Sequence, residues 1–252
     1  MITLKTDYWE IKDIDTILFD KDGTFIDLHY FWGKMTELRA EEIIKKFRLD
    51  ETLKNKLCLK LGYNIDTGKM LSDGITAMYS RQKIIAIFKN DLRDLNIYIN
   101  ETELEEIFDE VSNKFYKNMQ EYTKPINSAI TFIKNCKKLN IKTAIVTSDS
   151  IESTKKTLTQ FGWENLFDIV LGRESTKEIK ESGEIAKLAL KLMNANSETT
   201  IMIGDTPMDY ICAKNAGINK TILVASGQIE EDKLKETSNY TINSLSKIKI
   251  VN

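Results

Sequence analysis

Asp20 and Asp22 stand one residue apart at the end of an apolar run, Ile17-Leu18-Phe19, and Gly23-Thr24 follows at once. A buried strand has no packing reason to carry paired acids at its tip. Two carboxylates this close repel unless a cation or a proton lies between them. A divalent metal resolves the repulsion and leaves one carboxylate free as a nucleophile or an acid/base. An Asx-type turn after a strand accounts for the same fragment, so the rest of the chain must decide.

Three further polar clusters bear on it. Thr147-Ser148-Asp149 follows an apolar run, Lys180 sits in Ile179-Lys180-Glu181-Ser182-Gly183, and a second acidic pair occurs in Gly204-Asp205-Thr206-Pro207-Met208-Asp209. As a set they suit phosphoryl transfer. Asp20, Asp22 and Asp205 offer hard oxygen ligands for magnesium (Mg2+). Thr147 and nearby backbone N–H groups can donate to phosphate oxygens, and Lys180 adds a point charge against developing negative charge. An ionised Asp can attack phosphorus once that charge is neutralised, and Asp22 can protonate the leaving oxygen.

These residues need strand ends to hold them. Apolar, β-branched-rich runs occur at residues 14–20, 142–147, 168–172, 199–204 and 220–224, each ending at a turn or polar residue. Such runs suit strands buried on both faces of a parallel sheet. Helical spacing separates them: Ile126, Ala129, Ile130, Ile133 and Leu139 mark one helix, and Ile185, Leu188, Ala189 and Leu192 another. The alternation predicts right-handed βαβ units, and open sheets of that kind bind ligands at the carboxyl edge where the polar clusters lie.

Residues from about 31 to 120 show helical periodicity and no evident strand. Leu104, Ile107, Phe108, Val111 and Phe115 form one apolar stripe, and Ile75, Met78, Tyr79, Ile85 and Phe88 suggest another helix. The block reads as a helical subdomain inserted after the first strand. A glycine-rich loop spans residues 62–74, and residues 1–12 are expected to add an edge strand.

Composition narrows the chemistry. With 252 residues, 42% hydrophobic and 29% charged, the chain suits a soluble globular enzyme. A formal net charge of −2 gives no field for nucleic acid or an anionic membrane. The amino terminus lacks an apolar leader and no run is long enough to span a membrane, so a cytoplasmic protein is expected. Cys58, Cys136 and Cys212 have no CxxC spacing and read as reduced apolar residues. His29 is the only histidine, which disfavours a Ser-His-Asp hydrolase or a multi-histidine zinc site.

In its motifs the chain resembles the haloacid-dehalogenase superfamily of aspartate-nucleophile phosphatases. Asp20-Lys21-Asp22-Gly23-Thr24 resembles its first motif, Thr147 the second, Lys180 the third, and Gly204-Asp205 with Asp209 the fourth. Pro125 and the segment Phe161-Gly162 to Phe167-Asp168 resemble the phosphoglycolate-phosphatase-like branch, and the resemblance spans residues 14–250. It implies an α/β fold, a Rossmann-like doubly wound parallel sheet over residues 1–27 and 121–252, with a helical cap over 28–120 that closes on the phosphate. It also implies Asp20 as nucleophile and Asp22 as general acid/base. Mg2+ would be held by Asp20, the Asp22 carbonyl and Asp205, with Asp209 behind them and Gly23, Thr24, Thr147, Ser148 and Lys180 on the phosphate.

The chain departs from the family pattern in two places. Glu181 replaces the proline that usually follows the third-motif lysine, leaving Lys177 and Lys187 as alternatives to Lys180. Lys21 replaces an apolar residue and is expected to be solvated or locally paired. In the cap region His29, Tyr30 and Trp32 fit either hinge packing or substrate contact. Lys69, Ser72 and Arg81 fit either a solvated surface or a second anionic group of the substrate.

The expected function is Mg2+-dependent hydrolysis of a small phosphate ester (phosphoglycolate, a sugar phosphate or a nucleotide) through an aspartyl-phosphate, by a monomer or homodimer. A phosphomutase of the same superfamily, or a binding protein that has lost turnover, are the alternatives.

Overall fold

The computed structural model describes residues 1–251. Its strands, in chain order, are Ile2–Lys5 (β1), Glu10–Ile14 (β2), Thr16–Phe19 (β3), Tyr63–Asn64 (β4), Lys69–Met70 (β5), Lys142–Val146 (β6), Ile169–Leu171 (β7), Thr200–Gly204 (β8), Thr221–Val224 (β9), Thr241–Ile242 (β10) and Lys249–Val251 (β11). The chain divides into two compact units: one runs from Met1 to Asp27 and resumes at Pro125, the other is Leu28–Lys124.

In the first unit a six-stranded parallel sheet has the order β10-β9-β8-β3-β6-β7. β3 lies near its middle because all four of its side chains can be buried. It pairs Phe19 with Ile145 of β6 on one side and with Ile203 of β8 on the other. Small side chains let helices approach one face closely. Leu18, Ala144 and Met202 pack there against Ile185, Ala186 and Ala189 of helix Glu184–Met193 and Cys212 and Ala213 of helix Pro207–Asn215. On the other face Phe19 meets Phe132 and Phe167 edge-on, at 6.4 and 6.0 Å between ring centroids. Helices on both faces make this the doubly wound α/β sheet that the alternating pattern predicts.

Two expectations for this unit are corrected. Residues 1–12 do not extend the main sheet; β1 and β2 join β11 in a separate three-stranded antiparallel sheet. The main sheet also has a sixth strand, β10, two residues long and too short for any periodicity to reveal.

The helical unit is built on helices Leu28–Phe47 and Glu101–Lys117. The second buries the expected stripe of Leu104, Ile107, Phe108, Val111 and Phe115, and starts at a capping box between Asn100 and Glu103. Phe31 packs edge-on to Phe115 at 4.9 Å between centroids. Arg39 is buried with its guanidinium carbon 4.1 Å from the centre of the Phe108 ring. Its Nε and Nη1 have no hydrogen-bond acceptor among the described residues.

This unit holds a short hairpin, β4 with β5, where no strand is expected. The helix expected across Ile75–Phe88 is two, Ile75–Met78 and Arg81–Asp94, separated by extended backbone at Tyr79 and Ser80. The apolar spacing explains the break, because the interval from Tyr79 to Ile85 skips the helical repeat. Met78 and Tyr79 are accordingly 59% and 46% exposed. No helix among the described residues is long and apolar enough to cross a membrane.

Candidate active site

β3 delivers Asp20 to the carboxyl edge of the sheet, where its N–H donates to the Ile203 carbonyl at 2.9 Å. The chain then turns tightly. The Lys21 carbonyl accepts from the N–H groups of Thr24, Phe25 and Ile26, and the Gly23 N–H donates to Ile26 at 2.8 Å. Gly23 takes φ +82, and a Cβ there would stand 2.2 Å from Asp205 Oδ2. Only glycine permits both the left-handed backbone and that approach.

Lys180 joins the far ends of the chain. Its Nζ lies 2.6 Å from Asp20 Oδ1 and 2.6 Å from Asp209 Oδ1, and all three residues are buried. The lysine rides on a 3-10 turn, Lys180–Ser182, that precedes the helix starting at Glu184. That turn is pinned without the usual proline: Asn215 Nδ2 donates to the Glu181 carbonyl at 2.7 Å, and Gly183 sits against the Asn215 and Ala216 backbone. Lys177 is exposed, and Lys187 is exposed and paired with Glu184. Of the three lysines, Lys180 is the one in contact with Asp20.

Asp209 is fixed from both oxygens. Thr206 donates to Oδ2 through its N–H at 3.0 Å and its hydroxyl at 2.9 Å, while Oδ1 faces Lys180. Carboxylate oxygens of Asp20, Asp205 and Asp209 all lie within 4.8 Å of one another. Burial pushes the Asp20 carboxyl up to about 7; Lys180 opposes that shift and the charges of Asp209 and Asp22 add to it. Asp205 is raised well above the usual carboxylate range by burial and then by Asp20 and Asp209. Burial works against the Lys180 ammonium, but Asp20 and Asp209 outweigh it and hold the lysine above its ordinary range.

β6 ends at Thr147, which is buried and whose hydroxyl accepts from the Asp149 N–H at 3.1 Å. Ser148 is exposed, and Thr24 is fully buried. In the helical unit, His29 Nδ1 accepts from the Met70 N–H at 3.1 Å, which ties β5 to the first helix. Trp32 packs on Phe31, the Tyr30 hydroxyl donates to the Glu121 carbonyl at 3.0 Å, and Lys69 and Ser72 are exposed. Arg81 is taken up by Asp109 at 2.7 Å and by the Glu105 carbonyl at 3.3 Å.

Two contributions are absent from the sequence reading. Gly227, in the turn after β9, allows the backbone against Asp205; a Cβ there would stand 1.7 Å from Oδ2. The neighbouring Ser226 hydroxyl donates to the Gly23 carbonyl at 2.6 Å. The fifth predicted strand end, Ala225-Ser226-Gly227, was the place to find both. Lys21, expected in solvent or a local pair, is fully buried between Asp22 Oδ1 at 2.6 Å and Asp149 Oδ2 at 3.1 Å. Burial opposes its charge, and the two carboxylates more than reverse that.

The donor set fits a hard divalent cation. Asp20 and Asp205 are buried together, and burial with the repulsion of neighbouring carboxylates raises both carboxyls; a divalent cation bound between them would offset that repulsion. Asp209 has both oxygens engaged by Lys180 and Thr206, which leaves Asp20 and Asp205 as the side-chain donors.

Comparison with known proteins identifies the family. A pyrophosphatase PpaX from Halalkalibacterium halodurans is 25% identical over 92% of this chain and 94% of its own. A phosphoglycolate phosphatase from Aquifex aeolicus is 27% identical over 85% of this chain and 86% of its own. In fold, the crystal structure of a predicted phosphoglycolate phosphatase from Haemophilus somnus superposes with a TM-score of 0.70 at 16% identity, covering 94% and 96% of the two chains. The profile described as haloacid dehalogenase-like hydrolase matches residues 47–224, more than half of the chain. The protein therefore belongs to the haloacid dehalogenase-like hydrolases, with relatives named as phosphatases.

Proposed function

We propose that this protein is a Mg2+-dependent phosphatase that hydrolyses a small phosphorylated metabolite through an aspartyl-phosphate on Asp20. The observation that carries the reading is Lys180 Nζ at 2.6 Å from both Asp20 and Asp209, beside the buried Asp205.

Asp20 is the nucleophile: its carboxylate attacks phosphorus and the ester oxygen departs. Lys180 holds that carboxylate by one oxygen and offsets charge on the transferring phosphoryl group. The Thr147 hydroxyl and N–H groups of the turns after β3 and β6 donate to the phosphate oxygens. Asp22 gives its proton to the leaving oxygen, then takes one from the water that cleaves the aspartyl-phosphate. Asp209 keeps Lys180 in place. Asp20, the Asp22 carbonyl and Asp205 would hold Mg2+, which when bound would supply the positive charge that lets two anions approach. The helical unit is read as the cap, and it is where discrimination between leaving groups would arise.

The names of the relatives support a phosphate ester or anhydride as substrate, so inorganic pyrophosphate joins phosphoglycolate, sugar phosphates and nucleotides in the panel. The test is release of inorganic phosphate from that panel with and without Mg2+, for wild type and Asp20→Asn. Turnover that needs Mg2+ and is lost in Asp20→Asn is expected. Full activity of Asp20→Asn, or an isomeric sugar phosphate in place of free phosphate, overturns hydrolysis through Asp20.

A further inference from the structure

We infer that Lys21 is a positioning residue for the reaction, holding the Asp22 carboxyl in place from a fixed anchor at Asp149. The inference rests on the proposed role of Asp22 as proton carrier and adds a residue to it.

A fully buried lysine is rare because its ammonium loses water that only charged or hydrogen-bonding partners can replace. Lys21 is 0% exposed, and its two anionic partners differ in kind. Asp149 is immobilised: its Oδ1 accepts from the Ser150 N–H at 2.7 Å, its N–H donates to the Thr147 hydroxyl at 3.1 Å, and its carbonyl accepts from Arg173 at 3.0 Å. Gly172 packs against that carbonyl so closely that a Cβ would stand at 2.6 Å. Asp22, by contrast, belongs to the short turn after β3 and keeps 13% side-chain exposure.

The ammonium therefore ties Asp22 to an anchored acid, and the turn after β3 to the turn after β6. Lys21 follows β3 at the start of the turn, and its fully buried side chain runs inward to the two carboxylates. An apolar side chain would fill that space without the cost of a buried charge, but it would remove the ion pair that joins Asp22 to this anchor. A proton carrier misplaced by about 1 Å loses much of its effect.

The test uses the ester that wild type turns over fastest. Lys21→Met alone strands Asp149 as a buried unpaired charge and risks misfolding, so the informative variant is K21M/D149N, which removes both. With its thermal unfolding checked against wild type, it is expected to lose roughly 100-fold in kcat, the scale of one proton-transfer group, with KM within about two-fold. In an Asp22→Asn background the same pair of changes is expected to cost nothing further. Wild-type kcat in K21M/D149N, or a full second loss on top of Asp22→Asn, overturns the positioning role. Full activity of Asp22→Asn alone would instead remove the reading of Asp22 beneath it.

Discussion

Asp20 and Lys180 are 160 positions apart in the chain, yet the lysine Nζ donates to the aspartate Oδ1 at 2.6 Å in a buried setting. In the proposed reaction this contact would aim one oxygen of Asp20 away, leave the other to react, and bring a cation to the place where negative charge gathers.

Lys180→Met should therefore lower kcat by about 100-fold or more, the size expected for losing a preorganised charge in a site shut off from water. Lys187→Met, exposed and paired only with Glu184, should leave kcat unchanged. Steady-state kinetics on both variants checks this, and equal losses would count against the assignment of Lys180.

The raised carboxyls predict a pH dependence of cation-free stability. Asp20 has an ordinary value of 3.8 and a folded one of about 7, so the folded protein binds a proton there more tightly than the unfolded chain. The resulting stabilisation is complete below about pH 4 and gone above about pH 7. Asp205 acts in the same direction. In EDTA the Tm contribution of this cluster should fall from pH 5 to pH 8. Added Mg2+ should raise Tm more at pH 8, by roughly 2–4 °C for each kcal/mol recovered. Equal Mg2+ shifts at the two pH values would contradict it.

Gly227→Ala should damage the site through space alone. The new methyl would fall 1.7 Å from Asp205 Oδ2, so that carboxylate must move. The expected loss is about 10- to 100-fold in Mg2+ affinity or kcat/KM, comparable with other changes that reorient a metal ligand. Activity titrated against Mg2+ measures it, with far-UV circular dichroism unchanged.

Arg39→Met in the helical unit should cost no stability and can gain up to about 2 kcal/mol. The guanidinium is buried with Nε and Nη1 lacking an acceptor among the described residues, and it lies over the Phe108 ring. Denaturant unfolding decides it, and a loss above about 2 kcal/mol would mean that the charge has a stabilising partner.

The acids were legible because they end strands. Burial on both faces leaves a continuous apolar signal, and a carboxylate at its tip stands out against it, as Asp20 and Asp205 do. For Lys21 the local pair, with Asp22, is present, but its full burial and its second partner Asp149 are not legible, because lysine is ordinarily a surface residue and Asp149 lies far along the chain. β10, β4 and β5 are each two residues long, and only pairing with a neighbour defines them. Gly227 was invisible for another reason: what it does is keep a volume clear for a side chain on a different strand.

β3 lies between β6 and β8, strands that begin at residues 142 and 200. The strand that carries the proposed nucleophile is thus paired on both sides with segments made long afterwards. Pairings of such sequence separation are slow to close. On dilution from denaturant, helical signal should return well before catalysis does, and recovery of turnover should track the slowest phase. A chain interrupted anywhere before β8 would hold Asp20 without Asp205, so abandoned translation products would be inert toward phosphate esters.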